Sequence, residues 1–64
     1  MECFLAKSDR QLDICIRMLN DEGFHDLMIH SEKNAKNRME IYVYINAEKA
    51  VFDRLQERYL TLIS

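Results

Sequence analysis

Two histidines, two cysteines and three tyrosines are the groups in this chain whose chemistry reaches beyond packing, together with one short basic cluster. His25 and His30 invite a metal reading. Five positions apart on an extended segment, however, they point to opposite faces, and neither has a second ligand pair nearby, so no metal site is expected. Cys3 and Cys15 lack the Cys-x-x-Cys spacing of metal or redox centres. Both fall where core positions are expected, and there a thiol behaves as a small hydrophobe. Lys33, Lys36 and Arg38, with Asn34 and Asn37 between them, form the basic cluster and read as a solvated hairpin tip. Lys7-Ser8 ahead of a helix could hold a phosphate, but Asp9 in the first turn and the lack of a local Gly favour a simple helix cap. No carboxylate lies in an apolar setting that would raise its pKa, and no Ser, His and Asp spacing suggests a nucleophile, so neither catalysis nor a cofactor is expected.

The tyrosines are more informative. Tyr42 and Tyr44 sit in Arg38-Met39-Glu40-Ile41-Tyr42-Val43-Tyr44-Ile45, where apolar and other residues alternate strictly, as in a strand with one buried face. Met39, Ile41, Val43 and Ile45 then share the core side, and Arg38, Glu40, Tyr42 and Tyr44 the other. Two phenols on an uncovered face are candidates for contact with a partner.

The flanking elements follow from local signals. Residues 2–6 form a short apolar run suited to a strand, and Ser8-Asp9-Arg10-Gln11 matches a capping box. Leu12, Cys15, Ile16 and Leu19 recur at helical spacing behind it, and Gly23 suits the left-handed position that ends a helix. Within residues 24–31, Leu27 and Ile29 alternate with Asp26, Met28 and His30, which predicts a second strand. Polar residues 32–37 would close a hairpin into the alternating strand. Asn46 is a good N-cap for a last helix carrying Val51, Phe52, Leu55, Tyr59 and Leu62.

The order is thus βαββα. A right-handed crossover between the first two strands makes them parallel and leaves room for the third between them, antiparallel to both. This is an α+β, two-layer, ferredoxin-like sheet lacking its fourth strand, with two helices on one face and a single domain over residues 1–64. Leu5, Leu27, Ile29, Met39, Ile41, Val43 and Ile45 are expected under the helices. Glu2, Phe4, Met28, His30, Arg38, Glu40, Tyr42 and Tyr44 are expected on the open face. From these, Phe4, Met28, His30, Tyr42 and Tyr44 form the expected partner-binding set, with Lys33, Lys36 and Arg38 as a possible basic rim. The free edge of the first strand is a second route to association.

Composition narrows the partners. Sixty-four residues that are 48% hydrophobic and 31% charged, with one Gly and no Pro, describe a folded chain rather than a disordered one. A net charge of −2 disfavours nucleic acid, although aromatics on adjacent strands could stack single-stranded bases. No apolar run approaches the roughly 20 residues of a membrane span. With two cysteines and no signal-like segment over Met1 to Ala6, a reducing cytoplasm is expected. A chain this short buries only about 60% of its unfolded surface, so a homodimer or protein partner would help it.

The segments Phe4-Leu5-Ala6, the Ser8 cap, Leu19-Asn20-Asp21-Glu22-Gly23-Phe24, and Val43 to Leu55 as strand into final helix carry a wider likeness. In them the chain resembles small bacterial signal-transducing domains with a PII-like half-ferredoxin architecture. That resemblance implies a non-enzymatic regulatory or interaction role.

Overall fold

Residues 1–64 are described by a computed structural model, in which β1 (Glu2–Ala6), α1 (Asp9–Asp21), β2 (Met28–Lys33), β3 (Met39–Ile45) and α2 (Lys49–Ile63) follow one another. β3 is central. It pairs antiparallel with β1 on one side and β2 on the other, giving the order β1-β3-β2. The expected βαββα sheet, ferredoxin-like without a fourth strand, is therefore present. No helix is long and apolar enough to cross a membrane.

Local chemistry explains where the helices begin and end. Ser8 Oγ accepts from the Gln11 N–H at 3.1 Å, which satisfies one of the donors left free at the start of α1. Gln11 reaches back in turn, but its Oε1 takes the Lys7 N–H, one residue ahead of the cap. At the other end Gly23, at φ 90°, closes the helix with Gly23 N–H to Asn20 O and Phe24 N–H to Leu19 O. This is the paired geometry of a left-handed helix terminus. α2 starts later than its sequence suggests. Its cap is Glu48, whose side chain makes no capping bond, so Asn46 does not serve as the N-cap.

The core lies between the helices and the β1–β3 pair. Phe4, Cys15, Met18, Leu19, Val43, Ile45, Leu55 and Tyr59 form one buried cluster. Phe4 is central to it, fully buried, with its ring 4.9 Å from that of Phe52 and 5.6 Å from that of Tyr59. This overturns its expected place on the open face. Residues 3–6 are apolar without a break, so alternation could not choose which side faced inward. Pairing with β3 chose: Phe4 lies opposite Val43 and Ala6 opposite Ile41, so both turn inward. Leu5 and Cys3, expected inside, lie opposite Tyr42 and Tyr44 on the open side, and Glu2, expected outside, lies opposite the inward Ile45.

The helices cover only part of their side of the sheet. α1 packs on β1 and β3, and α2 on β1, but neither reaches β2. Ile29 and Met39 occupy the helix side, as expected, yet remain 47% and 45% exposed because nothing lies above them. β2 also begins at Met28 and runs through Glu32 and Lys33, so Leu27 precedes it and packs beside the core from a connecting segment. All six residues of β2 are exposed.

Glu22 ties the layers together at the end of α1. Its carboxylate accepts from Arg54 at 2.9 Å and from Arg58 at 2.8 Å, both on α2. Tyr59 Oη donates to the Leu5 carbonyl at 2.8 Å, so α2 engages a backbone group of β1.

Candidate interaction face

Register arranges the open side of the sheet in three cross-strand rows. Cys3, Tyr44 and Met28 make the first, Leu5, Tyr42 and His30 the second, and Glu40 with Glu32 the third. Directly opposite side chains on antiparallel strands come within contact range, so each row acts as a unit. The first is apolar, the second amphipathic and the third acidic. No helix covers any of them.

Met28, His30, Tyr42 and Tyr44 therefore share one face, as alternation predicts, while Phe4 is lost to the core. Leu5 takes its place. Met28 is 60% exposed and the two tyrosines are half-buried by their neighbours. The His30 ring stacks on Tyr42 with centroids 6.4 Å apart and planes 27° from parallel. Its Nε2 stands 3.4 Å from Glu32 Oε2.

The third row places like charges opposite one another, an arrangement that costs stability on a sheet surface. Its effect reaches Tyr42. Desolvation, then the charges of Glu40 and Glu32, hold the Tyr42 hydroxyl above the ordinary tyrosine range. The face is consequently negative among its fixed charges, with no Lys or Arg in any of the three rows. Alternation places Glu40 there, but the polar run 32–37 reads as a hairpin turn, whereas β2 extends through Glu32 and sets it opposite Glu40.

At the end of the sheet away from the hairpin, the apolar row opens into a recess of about 410 Å³. Met1, Leu27, Met28, Tyr44 and Ile45 supply its apolar wall, and Asp26 stands at its margin. It is wide enough to receive a large hydrophobic side chain from another molecule.

The basic rim divides. Lys33 lies opposite Met39, on the helix side of β2. Lys36 and Arg38 instead line a cleft at the hairpin end of the sheet that also contains Lys7 and the acidic row's Glu40. The remaining chemical groups are scattered: His25 Nδ1 sits 3.2 Å from Asn20 Oδ1, away from His30. Cys3 is exposed on the open side and Cys15 is buried beneath the helices, so the sheet separates the two thiols. Burial pushes the Cys15 thiol up to about 12.

Comparison of the chain with family models, curated proteins and solved structures gives no match.

Proposed function

We propose that this protein is a small non-enzymatic interaction module that docks a protein segment across the open face of its sheet. The observation that carries this reading is the continuity of the Cys3–Tyr44–Met28 row with the apolar recess, on a surface no element of the chain covers. Apolar surface of this kind, rimmed by polar groups, marks contact sites more often than solvated ones. Charge sets the partner's chemistry. Asp26 stands at the margin of the recess, and Glu32 and Glu40 lie two rows along the same face, beyond Leu5, Tyr42 and His30, so the segment that fits offers a hydrophobic anchor for the recess and Lys or Arg for these carboxylates. The architectural likeness to PII-like half-ferredoxin signal-transducing domains accords with a regulatory use of such docking, and a cytoplasmic setting accords with two free thiols.

Selection of a displayed peptide library on the wild-type protein, with counter-selection on Met28→Lys and Tyr44→Ala variants, tests the proposal. Enrichment of an aliphatic or aromatic residue next to basic ones is the expected result. Light scattering run in parallel asks whether a second copy is the occupant: a wild-type dimer that the same substitutions dissociate identifies it. A monomer that enriches no sequence removes the reading. Tighter capture of mixed single-stranded oligonucleotides, lost on Tyr42→Ala, would replace it with nucleic-acid binding.

A further inference from the structure

The cations of this protein are divided by position. Arg17 pairs with Asp13, Lys49 with Asp53, and Arg54 and Arg58 with Glu22. The other five, Lys7, Arg10, Lys33, Lys36 and Arg38, have no carboxylate partner. All five come from two stretches, 7–10 and 33–38, which the fold brings to one end of the molecule. Ala6 lies opposite Ile41, so Lys7 emerges level with the start of β3, just where the hairpin tip begins beyond the Lys33–Met39 pair.

Three of the five converge. Lys7, Lys36 and Arg38 line a cleft of about 280 Å³ with Asn34, Met39 and Glu40. The hairpin tip that carries two of them is fixed by Asn34. Its Oδ1 accepts from the Lys36 N–H at 2.9 Å and the Arg38 N–H at 3.1 Å, and Asn37 completes the reversal at φ 60°. Only Glu40 opposes the three cations, which leaves the cleft positive in a chain whose net charge is −2. At the N-terminus of α1, Ser8 Oγ takes the Gln11 N–H, and Gln11 Oε1 holds the Lys7 N–H just ahead of it.

We propose that this cleft binds a small phosphate-bearing anion. Its volume falls just below the range typical of pockets for drug-sized ligands and suits one or two phosphoryl groups. The planar fork of Arg38 grips two phosphate oxygens, while Lys7 and Lys36 act as point charges from the two sides. The cleft meets the open face only at Glu40 of the acidic row, and none of Met28, Tyr42 or Tyr44 lines it.

Titration of ¹⁵N-labelled protein at constant ionic strength tests this, with inorganic pyrophosphate and ribose 5-phosphate as separate probes. Saturable amide shifts at Lys7, Asn34, Lys36 and Arg38 are expected with at least one of them, and the stronger probe shows whether a free polyphosphate or a phosphomonoester is the better match. Lys36→Ala and Arg38→Ala should each weaken the apparent affinity at least fivefold, and Arg10→Ala and Lys33→Ala less than twofold. Shifts that sulfate reproduces at equal concentration, or that all five cations share equally, overturn the proposal, as does silence with both probes. An oligonucleotide that binds more tightly and shifts the open-face rows overturns it as well. Because these residues are exposed, circular dichroism should show each variant folded.

Discussion

Replacing Phe4 with Ala and, separately, Leu5 with Ala decides which side of β1 faces the core. Phe4 is fully buried, with aromatic neighbours at 4.9 and 5.6 Å, and nothing nearby can collapse into the space its ring would leave without disturbing Phe52 and Tyr59. A buried Phe→Ala change costs about 3–5 kcal/mol. Leu5 is half-exposed, so its truncation should cost about 1–2 kcal/mol, the low end of the range for buried leucines or below. The whole fold, at roughly 0.05–0.15 kcal/mol per residue, has only about 3–10 kcal/mol to lose. Phe4→Ala should therefore remove a large share of the fold's stability, while Leu5→Ala removes a small one. Urea titration followed by circular dichroism reads the difference. With an m-value near 1 kcal/mol/M, as expected for a chain this small, the midpoints should separate by roughly 2 M. If Leu5→Ala proves as costly as Phe4→Ala, β1 pairs one residue out of the register described, every side chain on it changes face, and the three-row surface is wrong.

Three further outcomes are expected. Burial, with a smaller contribution from the neighbouring Cys15, pushes the Tyr59 hydroxyl from 10.0 up to about 12, and burial raises the Cys15 thiol from 9.0 to about 12. The unfolded chain thus loses these protons first, so stability is intact below pH 9.0 and falls as pH climbs toward 12, a slope that urea midpoints should show and that Cys15→Ala should flatten. A thiol-specific reagent should modify one cysteine, Cys3, in the native protein and both only in denaturant. Glu32→Gln relieves the like-charge pair with Glu40 and should stabilise the fold by about 0.2–1 kcal/mol at low salt, a gain in melting temperature that added salt diminishes.

Much of this architecture is legible in the chain because β3 alternates without exception. That rhythm assigns Ile41, Val43 and Ile45 to the core and Tyr42 and Tyr44 to the open face, and the βαββα order then determines the strand neighbours. The candidate face is legible to the same extent, through Met28, His30 and the two tyrosines. β1 could not be read because an unbroken apolar run carries no phase, and only its pairing with β3 supplies one. Ile29 and Met39 mark a different limit: alternation gives the side of the sheet a residue occupies, but not whether a helix extends far enough to cover it. The Glu22 pairing with Arg54 and Arg58, and the meeting of Lys7 with Lys36 and Arg38, join segments separated by about thirty residues in sequence. Local spacing holds no record of either.

β2 touches the rest of the molecule through β3 alone, with solvent on both of its faces and along its outer edge. Its amide hydrogens should accordingly exchange well ahead of those in the β1–β3 pair, since opening this outlying strand exposes little that was dry. Met28 and His30 belong to that strand, and the cationic tip is its continuation. Whatever clamps either end of the ribbon slows exchange along its whole length, which gives a single measurement sensitive to occupancy at both places.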